Sequence, residues 1–139
     1  MNFLYLIKYI KMSRNKKIII LTMKEMKIEE FKSTVYDFEK SKKINKNLTV
    51  IDFYADWCQP CKVMEKSLND IKDEFKDVDF IKINAEEEYE LTEFFQIRNL
   101  PTLIFIDFDG NIYSESGLIP KGLLSKKINE YKSEKEIIS

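Results

Sequence analysis

The sequence predicts an α/β fold, a central mixed β-sheet flanked by helices on both faces. Three observations carry that expectation. From residue 28 onward, apolar β-rich runs alternate with segments of helical periodicity. An Asp109-Gly110 pair sits between two apolar runs, the short-range signature of a hairpin. A last amphipathic segment follows the hairpin. Alternating strands and helices call for parallel crossovers while the hairpin adds antiparallel pairing, so the sheet is mixed.

Each element has its own reason. Residues 48–55 (LTVIDFYA) form a nearly continuous apolar run, as expected of a strand covered on both faces. Val63, Met64, Leu68, Ile71 and Phe75 repeat at helical spacing and predict a helix over 62–75. A second strand is expected over 78–83, then a short helix over 87–96 with Leu91, Phe94 and Phe95 turned inward. Residues 103–108 and 111–116 make the hairpin around Gly110. Leu123, Leu124, Ile128 and Tyr131 predict a final helix, with Pro120 suited to its first turn. Upstream, either 29–35 or 18–21 supplies one more strand, and 36–41 part of a helix.

With 139 residues, 23 Lys+Arg against 24 Asp+Glu and 44% apolar residues, the chain has the composition of one globular domain. A net charge of −1 gives no electrostatic handle for nucleic acid or an anionic membrane. The absence of histidine removes Ser-His and Cys-His nucleophile activation and the commonest zinc ligand. Two cysteines allow neither a four-thiolate metal site nor a disulfide framework, so no metal is expected.

Residues 1–27 are expected to be an N-terminal extension, disordered or the product of an upstream start, with Met12, Met23 and Met26 as alternative starts; residues 28–139 form the domain. The apolar runs 3–7 and 18–21 fall far short of the roughly 18 residues needed to span a bilayer. Lys8 interrupts the first run and no small-residue cleavage site follows, which argues against a secretory signal.

The chemistry is concentrated at Trp57-Cys58-Gln59-Pro60-Cys61, between a strand ending near Ala55 and a helix beginning near Cys61. Two cysteines so spaced at a helix start close a small disulfide ring without distorting the chain. The helix N-terminus favours negative charge and lowers the pKa of the first thiol, which is expected to be the one open to solvent. Other readings of the motif are half a zinc site, whose other half is missing, and a pair of inert buried thiols.

FYADWCQPCK resembles the active-site segment of the thioredoxin family, whose usual form is Trp-Cys-Gly-Pro-Cys. The resemblance continues in register over roughly residues 30–131. Asp52 falls where the family carries a buried aspartate, Lys82 where it carries that residue's lysine partner, and Asn99-Leu100-Pro101-Thr102 where it carries a cis-proline loop. Gly110 matches the hairpin glycine and Gly117 the glycine lining the substrate groove. Three departures stand out: Gln59 replaces the usual glycine, Lys66 a helix-kinking proline, and the N-terminal extension has no counterpart.

The resemblance implies a thioredoxin fold and a protein-disulfide reductase that works through a reversible Cys58-Cys61 dithiol/disulfide pair without a cofactor. Cys58 would attack and Cys61 would resolve the mixed disulfide. Asp52, flanked by apolar residues, would accept the Cys61 proton, and Lys82 would tune Asp52 by charge unless it is simply a solvated lysine on a strand face. Trp57, Gln59, Pro60, Leu100, Pro101 and Gly117 would receive the substrate, with the Leu100 backbone pairing with an extended chain. The implied partners are disulfide-containing proteins and a thioredoxin reductase, with no nucleic acid and no membrane; the implied state is a cytoplasmic monomer. A dedicated redox partner or a chaperone-like binding module on the same fold is the alternative.

Overall fold

A computed structural model describes the backbone of residues 7–13 and 16–137 and the side chains of residues 22–132. Strand β6 (Leu48–Tyr54) is buried at all seven positions and forms the middle of a five-stranded sheet. Around it lie β3 (Lys24–Glu25), β7 (Val78–Asn84), β8 (Thr102–Ile106) and β9 (Ile112–Ser116), in the order β3-β7-β6-β8-β9. The ladders β3·β7 and β6·β7 are parallel; β6·β8 and β8·β9 are antiparallel. The sheet is therefore mixed, as the alternation and the hairpin signal require.

Period-two alternation along β6 sends its side chains to two cores. Leu48 and Val50 join Met64, Leu68 and Ile71 of α2 (Gln59–Ile71), and Leu124 and Ile128 of α4 (Lys121–Ile137). Ile51 and Phe53 join Phe31 of α1 (Ile28–Thr34), and Leu91 of α3 (Tyr89–Phe94), on the opposite face. Asp52 falls on the α2 side of this alternation. At the far end of the sheet, Gly110 adopts φ +90°, which the turn between β8 and β9 requires and which a residue with a Cβ rarely adopts.

The N-terminal part differs from the sequence expectation. Met23 and Met26 are buried in the α2-side and α1-side cores respectively, and Lys24–Glu25 pair with Ile81 and Lys82, so sheet and core begin upstream of residue 28. A two-residue charged strand at a sheet edge leaves no apolar pattern to read. Residues 28–34 are a helix rather than a strand, with Phe31 facing inward. The Ile28 N–H at its start donates to Glu88 Oε1 at 3.1 Å, a carboxylate at the positive end of the helix. Residues 18–21 do lie in a strand, β2 (Lys16–Leu21), but it pairs with β1 (Ile7–Ser13) and not with the central sheet.

Where part of a helix was expected at 36–41, the chain makes a small hairpin of β4 (Tyr36–Asp37) and β5 (Lys42–Lys43). Asp37 Oδ1 accepts the Glu39 and Lys40 amides at 3.0 and 3.2 Å, a local alternative to helical bonding. Three residues from the apolar helical patterns face out, among them Val63 of α2, which is 51% exposed beside buried Met64. Phe94 is 41% exposed and stacks on Phe38, and Leu123 is 44% exposed beside buried Leu124.

Because Met23 and Met26 fill different cores, Met23→Ala and Met26→Ala should each destabilise the protein by about 2–5 kcal/mol and add in the double variant. Denaturant titration checks this. Unchanged midpoints would return these residues to a frayed extension.

Candidate active site

Strand β6 ends at Tyr54, and the chain turns through Ala55, Asp56 and Trp57, with the Cys58 N–H donating to the Ala55 carbonyl at 3.2 Å. Cys58 is the N-cap of α2, and Pro60 occupies its first turn, where a missing N–H costs nothing. The two cysteines are joined in a disulfide, with Cα atoms 5.2 Å apart. The Cys61 N–H donates to Cys58 Sγ at 3.2 Å. A backbone donor and the positive end of a 13-residue helix thus converge on the Cys58 sulfur, and no acidic residue in the first turn offsets them.

Both cysteines are nearly buried, Cys58 at 3% exposure and Cys61 at 2%. The expected difference in solvent access is absent in this disulfide form, because Tyr54, Ala55 and Leu100 pack around the pair. What distinguishes the two sulfurs is the hydrogen bond: Cys58 lies outside the helix and accepts, whereas Cys61 lies inside it and its own backbone is the donor.

The expected groove residues converge here. Leu100 contacts the disulfide cluster, the Leu100-Pro101 bond is cis, and the Pro101 carbonyl accepts the Gly117 N–H at 2.8 Å. Gly117 has φ +91°, and open space lies where a Cβ would stand; Pro101 is buried, and Leu100 and Gly117 are half-buried. Gln59 and Pro60 are exposed, and Trp57 is 68% exposed. Trp57 is nevertheless held in place, its Nε1–H donating to Glu86 Oε2 at 2.6 Å. Sequence reasoning missed Glu86, one residue within an undifferentiated acidic run.

Beneath α2, Asp52 is completely buried and neither carboxyl oxygen has a hydrogen-bond partner among the described residues. Burial pushes its pKa up to about 8; the Glu65 charge adds to the rise and the Lys82 charge opposes it. Lys82 stands opposite Asp52 in the β6·β7 register, but its ammonium is bonded to Glu65 Oε2 at 2.7 Å and lies 5.2 Å from the centre of the Tyr54 ring. Lys82 is thus neither a solvated lysine nor bonded to Asp52; it acts on Asp52 through space. Glu65 was not singled out from the sequence, although its position four residues after Cys61 puts both on one face of α2. Among the described residues, no cluster of three or more His, Cys, Asp or Glu is placed to hold a metal ion, and no helix is long and apolar enough to cross a membrane.

The raised pKa has a consequence for stability. A carboxyl whose folded pKa lies above its unfolded value contributes fully below the unfolded value, and that contribution is lost as pH rises toward the folded one. Relative to Asp52→Asn, the wild type should therefore lose on the order of a few kcal/mol between about pH 4 and pH 8, with the loss levelling off above. Denaturant titration of both proteins across this range measures it, and parallel stability curves would contradict the assigned protonation.

The thioredoxin family model matches residues 22–130. Thioredoxin of Mycoplasmoides gallisepticum is 36% identical over 78 residues, which span 55% of this chain and 77% of that protein. Thioredoxin of Pyropia yezoensis is 31% identical over 94 residues, 66% of this chain and 88% of that one. The crystal structure of mitochondrial thioredoxin 3 from Saccharomyces cerevisiae, in its oxidised form, superposes with a TM-score of 0.63 at 26% identity, covering 78% of this chain and 94% of the yeast one. A match of that extent, running through the strand and helix that position a Cys58-Cys61 disulfide, makes the chain a thiol-disulfide oxidoreductase that reduces protein disulfides and a member of the thioredoxin family.

Proposed function

We propose that Cys58 is the attacking thiol, Cys61 the resolving thiol and Asp52 the base for the second step. The observation that carries this division is the bond from the Cys61 N–H to Cys58 Sγ at the start of α2, which stabilises negative charge on Cys58 alone. The Cys58 thiolate attacks one sulfur of a substrate disulfide; that bond breaks, a mixed disulfide forms, and the first substrate thiolate leaves to be protonated by solvent. Asp52 takes the proton of Cys61, and the Cys61 thiolate attacks Cys58 Sγ. The Cys58-Cys61 bond forms and the second substrate thiolate departs, so two electrons have passed to the substrate.

The substrate segment lies along Trp57, Gln59, Pro60, Leu100, Pro101 and Gly117. Support comes from the exposure of Trp57, Gln59 and Pro60, and from the open space over the Gly117 backbone. A thioredoxin reductase restores the dithiol. The protein acts as a cytoplasmic monomer, a reading supported by a composition in which both cysteines serve one redox pair and none staples the fold.

Cys58→Ser should abolish turnover of a disulfide-containing protein such as insulin, whereas Cys61→Ser should accumulate a covalent mixed disulfide on Cys58. Asp52→Ala should slow single-turnover release of a trapped substrate by up to about 10²-fold. Mass spectrometry of the trapped adduct locates the sulfur, and adducts on Cys61 would reverse the two roles.

A further inference from the structure

Lys82 has a choice of partners. It faces Asp52 directly across the β6·β7 ladder, and Glu25 lies opposite it in the β3·β7 ladder, yet its ammonium is taken by Glu65, from the helix above. Glu65 and Lys82 retain 27% and 12% side-chain exposure, while Asp52 has none. A pair formed at this partly hydrated rim avoids the desolvation that a Lys82-Asp52 pair inside would incur. Glu65 also lies one helical turn beyond Cys61, so the residue that holds the lysine shares a face with the thiol that must lose a proton.

We propose that Glu65 is a positioning residue for the resolving step: it draws the Lys82 ammonium away from the Asp52 carboxyl and so sets how readily Asp52 takes the Cys61 proton. This rests on the reading of Asp52 as the base. The groups surrounding Asp52 are consistent with a single competition. From α2 come Cys61 and Glu65, and from β7 comes Lys82. Strand β3 adds Glu25, whose charge helps raise the Tyr54 phenol pKa, and β8 places Leu103 opposite Asp52. Helix α4 packs Leu124 and Ile128 into this core, and its Lys127 is held by Glu115 of β9 at 3.0 Å. Lys82 is the one cation among these groups that is placed to reach either Glu65 or Asp52.

Removing the Glu65 charge acts in one direction. It frees Lys82 to turn toward Asp52 and withdraws a neighbouring negative charge, and both effects favour the carboxylate. The test is the pH dependence of single-turnover resolution of a Cys58 mixed disulfide with a cystine-containing peptide, followed in wild type, Glu65→Gln, Glu65→Asp, Lys82→Met and Asp52→Asn. The carboxylic C=O infrared band that Asp52→Asn abolishes reports the Asp52 titration independently of catalysis.

In Glu65→Gln, the acid limb of the rate profile and the infrared titration should both move to lower pH by about one unit. Lys82→Met should move both upward, and Glu65→Asp, which keeps the charge, should return them toward wild type. A merely structural Glu65 would change stability and leave both midpoints in place, which overturns the proposal while Asp52 keeps its role. An acid limb that persists unchanged in Asp52→Asn would instead overturn the reading of Asp52 on which the proposal rests, and the proposal with it.

Discussion

Burial along the whole of β6 is the constraint from which the rest of the structure follows. A strand covered on both faces must bury each of its side chains, and at Asp52 that side chain is a carboxyl without a hydrogen-bonding partner among the described residues. An ionised carboxylate in such a place is costly, so the group holds its proton to about pH 8. A carboxyl poised there is a better match to thiol chemistry than an ordinary aspartate, whose pKa lies several units lower and whose carboxylate is a weak base. The same burial brings the neighbouring residues of β6 into the two cores that seat α2 and α4 on one side and α1 and α3 on the other.

Those cores also separate the redox state from the fold. The Cys58-Cys61 ring spans only three residues of sequence separation, and a loop that short restricts the unfolded chain by less than the roughly 3 kcal/mol associated with a 15-residue loop. Stability resides in clusters such as Val50, Met64, Leu68 and Phe105, fully buried and built without either sulfur. A carrier that must cycle between dithiol and disulfide requires this independence.

The parts of the fold that were legible in the sequence share a physical property: their pattern is long enough to be periodic. Seven-residue apolar strands such as Leu48–Tyr54 and a helix carrying Met64, Leu68 and Ile71 declare themselves. Helix α1 did not, because it has seven residues and one fully buried side chain, too few for a 3.6-residue period to emerge. Phe94 and Phe95 were both expected inside, yet adjacent helical positions point about 100° apart, and the i, i+4 pair Leu91 and Phe95 already fills the inner face. Around the site, Cys58, Cys61 and Asp52 stood out because a cysteine pair and a lone acid in an apolar strand are anomalies. Glu65 and Glu86 were invisible because acids are common, and only the partner across space, Lys82 for one and the Trp57 indole for the other, gives them meaning.

Helix α2 supplies opposite electrostatic environments at its first two turns, which connects these observations. Its N-terminus presents a backbone donor and a positive end to the Cys58 sulfur, an environment that favours negative charge there. One turn further on it presents Glu65, which holds the Lys82 ammonium at a partly hydrated rim and leaves the buried Asp52 carboxyl without a bonded cation. That carboxyl holds its proton to about pH 8, which on the proposed mechanism makes it a stronger acceptor for the Cys61 proton than an ordinary aspartate would be. Two thiols of the same intrinsic chemistry, three residues apart, thus meet different surroundings along one helix, and on the proposed mechanism the order of attack and resolution follows from where along that helix each sulfur sits.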